Sequence, residues 1–137
     1  MRIGITGSNG FIAWHLTQTL RHIRNESEIV FLDREYFDNL TNRPTLEVDI
    51  LFHLAGVNRA EDASFLHSEN IRLATVLQEG LIEGNLKCKT IIYTSTIHED
   101  NGSLYGESKR LAGEILSDSA KKLEIEYYKV KLKNVFG

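Results

Sequence analysis

Cysteine, proline, tryptophan and methionine each occur once in these 137 residues. The single cysteine, Cys88, excludes an internal disulfide and fits a reducing, cytoplasmic setting. The single proline, Pro44, falls in an irregular stretch from Asn39 to Glu47. Charge of one sign is scarce: the formal net charge is −3, which points away from nucleic acid and from membrane surfaces as partners. No apolar run approaches the ~18 residues that a membrane span needs, and the first apolar segment is too short for a signal-peptide core. The histidines His15, His22, His53, His67 and His98 show no metal-ligand spacing with Cys88 or with one another, so no metal site is expected. Internal repeats and low-complexity tracts are absent too. What remains is an ordinary globular composition, 42% apolar and 26% charged, long enough for one compact domain with a real core.

Short apolar runs alternate with helical periodicity. Strands are expected at Arg2 to Thr6, Glu28 to Leu32, Ile50 to Ala55, Thr90 to Thr94 and Glu126 to Leu132. Between them, Phe11, Ile12, Leu16, Leu20 and Ile23 recur at helical spacing, and longer helices are expected over Phe65 to Glu83 and Leu104 to Lys121. Phe11 and Trp14 are read as core positions of the first helix. Alternating strands and helices mean an α/β fold with a parallel sheet and right-handed crossovers.

The first strand runs into Gly7-Ser8-Asn9-Gly10 and then a helix, a Gly-x-x-Gly-x-x-Ala pattern that ends at Ala13. Gly7 supplies the positive φ of a tight turn, Gly10 lets a pyrophosphate approach the backbone, and Ala13 lets the helix lie close to the strand. The helix start offers free N–H groups and a positive dipole end to phosphate. This is the layout of a dinucleotide site. The second strand ends in Asp33-Arg34. A carboxylate there accepts ribose hydroxyls of NAD, whereas an arginine neutralises the 2′-phosphate of NADP, so both cofactors stay open.

Tyr105 and Lys109 lie four residues apart, on one helical face. A phenol is a poor acid–base group at neutral pH, and a neighbouring ammonium is expected to lower its pKa toward the working range. Ser95 and Thr96 follow the fourth strand, at the sheet edge where ligands gather. The expected roles are proton transfer by Tyr105, support and ribose binding by Lys109, and orientation of the reacting oxygen by Thr96 or Ser95, with hydride passing between a nicotinamide and the substrate carbon. His98 stands two residues beyond Thr96, where it could face the substrate, but a plain loop residue is the favoured reading.

These segments together resemble the extended short-chain dehydrogenase/reductase family of nucleotide-sugar epimerases, dehydratases and reductases. The matching runs are Thr6 to Ala13, His53-Leu54-Ala55-Gly56, Asn70 with Thr75, Thr94-Ser95-Thr96, Tyr105 to Lys109, and Asn134-Val135-Phe136-Gly137. His53 to Arg59 and the Tyr-Gly-Glu-Ser-Lys run look most like bacterial capsule and O-antigen reductases, which reduce a 4-keto, 6-deoxy UDP-amino-sugar. The resemblance implies a Rossmann-like, doubly wound sheet and one NAD(P)-binding domain over residues 1–137. Its cofactor would be lined by Gly7, Asn9, Gly10, Phe11, Ile12, Asp33, Arg34, Leu54, Ala55, Gly56, Asn70 and Thr94, with Tyr105 and Lys109. Asn70 would also help to position the catalytic helix. A nucleotide-sugar substrate and a homodimer through the helices at Phe65–Glu83 and Leu104–Lys121 are implied as well. Reduction, epimerisation and dehydration share these residues, and a non-catalytic dinucleotide-binding module would keep the glycine turn alone.

Two departures from the family pattern shape the expectation. Only 16 positions separate Asp33 from Asp49, too few for the usual helix and third strand, so a shortened sheet of five strands in the order 2-1-3-4-5 is expected. Lys131 stands where the family often has arginine and receives no role. Family members are much longer, with a C-terminal part that forms the sugar pocket, so the chain is expected to be an N-terminal piece of a longer enzyme or a truncated reading frame.

Overall fold

The computed structural model describes residues 1–39 and 41–133. The Asn134–Gly137 run therefore lies outside the described residues. Five strands form one wholly parallel sheet: β1 (Arg2–Thr6), β2 (Glu28–Leu32), β4 (Ile50–His53), β6 (Thr90–Thr96) and β7 (Glu126–Leu132), in the order β2-β1-β4-β6-β7. This is the expected order. A second ladder, missing from the sequence reading, pairs β3 (Leu46–Glu47) with β5 (Leu86–Lys87).

Four helices cover the sheet: α1 (Phe11–Ile23), α2 (Arg34–Asp38), α3 (Ala63–Glu83) and α4 (Leu104–Leu123). The ends of α3 and α4 follow from capping chemistry. The Asp62 carboxylate accepts from Ser64 N–H, the Ser103 hydroxyl accepts from Gly106 N–H, and Gly84 closes α3 in the left-handed conformation. Lys121 and Lys122 face the negative end of the α4 dipole.

The main core lies between the sheet and the α2–α3–α4 layer, built on Leu32, Leu51, Leu77, Leu86, Ile91 and Leu116. A smaller core of Ile3, Ile5 and Ala13 sits beneath α1. That helix buries only a narrow stripe, Ala13 and Thr17 with Leu16 and Leu20 alongside. Phe11 and Trp14 are consequently not core: they are 48% and 57% exposed, because they lie off that stripe. Beyond α1 the same face of the sheet is open, and Tyr128 and Val130 of β7 are exposed on it.

Two strand ends shift in ways that matter for the site. Ser95 and Thr96 are the last residues of β6, paired with Lys131 and Leu132, rather than a loop beyond it. β4 stops at His53, so Leu54 and Ala55 belong to the following loop. Among the described residues no helix is long and apolar enough to cross a membrane, and no group of three His, Cys, Asp or Glu is placed to hold a metal.

Candidate functional site

Every parallel strand delivers its carboxyl end to one edge of the sheet, and the candidate residues collect there. The turn after β1 fixes the first wall. Gly7 has φ +72°, and a Cβ on it would sit 2.8 Å from the Ala55 Cα, so no side chain fits. Gly10 donates its N–H to the Gly7 carbonyl at 3.0 Å and caps α1 without a side chain. The first-turn N–H groups of α1 therefore face outward without a side-chain cap, as an anion site requires.

Thr6, at the end of β1, organises the second wall. Its hydroxyl oxygen accepts from Leu54 N–H at 3.0 Å and Ala55 N–H at 2.9 Å, and lies 2.8 Å from His53 Nδ1. With two donors already on that oxygen, its own proton goes to Nδ1. His53 suits this as a neutral acceptor: burial and the nearby Lys109 charge push its pKa down to about 3.

Asn70 braces the third wall. From within α3, its amide accepts Val57 N–H at 2.7 Å and donates to the Val57 carbonyl at 2.9 Å and to Ser108 Oγ at 3.1 Å. Ser108 in turn donates to the Tyr105 carbonyl at 2.8 Å. One buried amide thus ties α3, the loop after β4 and the first turn of α4 together. Gly106 completes the fit, since any side chain there would run into the His98 carbonyl.

The space enclosed is a cavity of about 860 Å³. Gly10, Phe11 and Ile12 line one end, Leu54 and Gly56 the middle, and Thr94, Ser95, Thr96, Tyr105 and Lys109 the other end. Ala55 lies behind this wall, and Asn70 braces it without lining it. The Asp33 carboxylate is engaged elsewhere: it accepts Ser8 N–H at 3.0 Å and the Ser8 hydroxyl at 2.5 Å, which locks the glycine turn. Asn9 and Arg34 are exposed near that turn. Sequence reasoning missed Ser8, and it ranked a substrate-facing His98 second, whereas His98 lines the cavity with Val57, Asn58, Arg59, Leu132 and Lys133. Closeness to Thr96 was the available signal for His98: the Thr96 hydroxyl accepts His98 N–H at 3.2 Å.

The electrostatics differ from the expectation for the Tyr–Lys pair. Burial pushes the Tyr105 pKa up from 10.0, and nothing offsets it. Burial pushes Lys109 down to about 8, with Glu99 acting in the opposite sense. The ammonium does not depress the phenol here; its Nζ stands 4.9 Å over the Tyr93 ring instead. Tyr93 holds that helix in place by donating its hydroxyl to the Lys109 carbonyl at 2.8 Å, and the His53 ring stacks on the Tyr93 ring with centroids 5.6 Å apart.

No family model matches the chain. A UDP-2-acetamido-2,6-β-L-arabino-hexul-4-ose reductase of Pseudomonas aeruginosa is 36% identical over 139 aligned positions, which cover all of this chain and 36% of the relative. The capsular polysaccharide assembling protein CapF of Staphylococcus aureus superposes with a TM-score of 0.74 at 27% identity, over 100% of this chain and 37% of that one. Over its whole length the chain is thus similar to about a third of a nucleotide-sugar reductase and of a capsular polysaccharide assembling protein. A UDP-N-acetylglucosamine 4-epimerase of Bacillus cereus shares the fold, with a TM-score of 0.77 at 21% identity over 100% of this chain and 55% of that one. The chain spans little more than a third of the length of its reductase and CapF relatives.

Proposed function

We propose that this chain is the dinucleotide-binding domain of a cytoplasmic, NAD(P)-dependent nucleotide-sugar reductase of polysaccharide biosynthesis, with Tyr105 as the acid. The observation that carries this reading is the single cavity that unites the uncapped start of α1 with Thr96, Tyr105 and Lys109. A pyrophosphate fits the turn at Gly7 and Gly10, where no side chain intrudes and the helix N–H groups are free. A reduced nicotinamide, when bound, supplies the hydride.

The chain's own residues handle the proton. In reduction a carbonyl carbon gains hydride and its oxygen gains a proton. Tyr105, held above its ordinary pKa of 10.0, stays protonated at pH 7 and so is a loaded acid. Its proton passes to the carbonyl oxygen, and Lys109, which lines the same cavity, is the group placed to bind the nicotinamide ribose. The Thr96 hydroxyl, 5% exposed at the end of β6, orients that oxygen. By analogy with the family, a homodimer through the outer faces of α3 and α4 accompanies this reading.

Tyr105→Phe in the full chain tests it. Binding of NADH or NADPH, read as energy transfer from the lone Trp14, should persist. Reduction of a UDP-4-keto-6-deoxy-amino-sugar should fall by at least a hundredfold. Equal turnover in both proteins would refute the role of Tyr105, and absence of dinucleotide binding by the parent would refute the whole reading.

A further inference from the structure

The sheet has two margins, and they are built differently. β7 carries Lys129, Lys131 and, just beyond it, Lys133; the first two pair with the buried Glu99. β2 reads Glu-Ile-Val-Phe-Leu, with a single charge at its start and neither lysine nor proline. Such a run has high β-propensity and none of the devices that blunt an exposed edge. The chain that follows does not cover this margin. α2 and β3 turn onto the α3 side of the sheet, where Phe37, Leu46 and Val48 enter the main core.

Backbone parity shows which groups are left over. Glu28 N–H donates to the Met1 carbonyl at 3.0 Å, and the parallel register runs from Arg2 beside Glu28 to Thr6 beside Leu32. Glu28, Val30 and Leu32 therefore turn their backbone groups to β1, and Ile29 and Phe31 turn theirs outward. Among the described residues no strand pairs with that outer side of β2. Ile29 packs on the small core under α1, and Phe31, two residues on and so on the same face, is 41% exposed.

A second copy of the same strand fits this margin. Antiparallel pairing about Val30 sets Ile29 opposite Phe31 of the other copy, and the reverse, so every outward N–H and C=O of both strands finds a partner. The Phe31 ring is then covered by Ile29 of the other copy, an apolar cross-strand pair. Val30 meets Val30 at the twofold axis. Beyond the strand ends Glu26 comes opposite Arg34, and no like charges are opposed over residues 25–35. The contact is isologous, so it closes at two copies, and a strand already fixed in a sheet needs no ordering first, unlike a loose peptide. We propose that β2 is a self-association strand, along which two copies of this chain join antiparallel into one continuous sheet. Five residues make a small interface, so a weak dimer is expected, with a Kd on the order of 100 µM.

The test is amide exchange of the full chain, read residue by residue by NMR from about 20 µM to about 1 mM. With that Kd, exchange at Ile29 and Phe31 should slow about fourfold across the range, while Val30 and Leu32, bonded to β1, stay equally protected. A helical dimer through α3 and α4 leaves these two amides untouched, so the two interfaces are read separately. Phe31→Lys, which copies the lysines of β7, should abolish the slowing at Ile29. Register is tested by oxidation on a Cys88→Ser background. Two Val30→Cys residues would face each other with Cα atoms about 4.5 Å apart, within disulfide range, and should cross-link at least tenfold faster than Phe31→Cys, whose copies lie out of register. Random collision predicts the reverse order, because Phe31 is the more exposed position. Concentration-independent exchange at Ile29 and Phe31, slowing that survives Phe31→Lys, or faster cross-linking of Phe31→Cys overturns the proposal. If Val30→Cys fails to fold, the exchange data decide: protection that appears along β7 as well means that β2 meets β7, and it too overturns the proposal.

Discussion

Replacing Lys109 by methionine should make the protein more stable while removing the buried cation that lines the cavity. The magnitude follows from burial. An ammonium with an ordinary pKa of 10.5 is held at about 8 in the folded chain. A shift of that size corresponds to about 3 kcal/mol of folding free energy forfeited at pH 7, where the group is charged in both states. Methionine has similar length and no charge to desolvate. It loses the contact of the cation with the Tyr93 ring, about 1 kcal/mol, so a net gain of about 2 kcal/mol is expected. The pH dependence supplies a sharper check. A lysine whose pKa falls on folding holds fewer protons native than unfolded above pH 8, so wild-type stability from this group rises with pH until about 10.5. Urea unfolding at pH 7 and pH 9 should show the wild type gaining about 1 kcal/mol on the variant. A variant that is less stable at pH 7, or a stability gap that does not narrow by pH 9, would refute the reasoning.

Three further outcomes are expected. Gly7→Ala should cost about 2–4 kcal/mol by thermal or urea unfolding and abolish dinucleotide binding, since alanine must adopt positive φ and its Cβ would meet the Ala55 backbone; a stable variant that still binds NADH contradicts the turn's geometry. Asn70→Ala strips partners from both backbone groups of Val57 and from Ser108, and a loss of about 2–3 kcal/mol is expected in denaturant titration. Asp33→Asn removes a carboxylate beside the glycine turn, and the NADPH-to-NADH affinity ratio should rise about tenfold in a fluorescence titration; no change in that ratio would place the adenosine ribose elsewhere.

The sheet was legible because its strands are near-continuous apolar runs and because the fifteen residues between Asp33 and Asp49 are too few for a full crossover helix and a further strand of the main sheet; they hold only the five-residue α2 and the two-residue β3. The β3–β5 ladder was not, since two-residue strands forty positions apart leave no periodic trace. The exposure of Phe11 and Trp14 was misjudged for a related reason: helical spacing shows which residues share a face, not how wide a stripe the neighbouring strands cover. At the site, the glycine turn, Thr96, Tyr105 and Lys109 were readable as residue types at telling spacings, and the chain does gather them around one cavity. The direction of the Tyr105 shift was not readable, because desolvation depends on what packs around a phenol rather than on which cation stands four residues away. Glu99 carried no signal either; its lysine partners lie about thirty residues downstream, and only strand register brings them to it.

β7 is the last strand of its sheet among the described residues, and Tyr128 and Val130 stand exposed on one of its faces. Such a margin is a template for unwanted pairing between copies. Lys129, Lys131 and Lys133 run along it and outnumber the acidic groups beside them, Glu126 at its start and the buried Glu99. Two copies approaching border to border would therefore meet as like charges, and that repulsion should weaken as salt is raised. For anyone handling the purified chain, low ionic strength is then the condition that keeps it dispersed, and concentrated salt the one that invites fibrous or amorphous deposits.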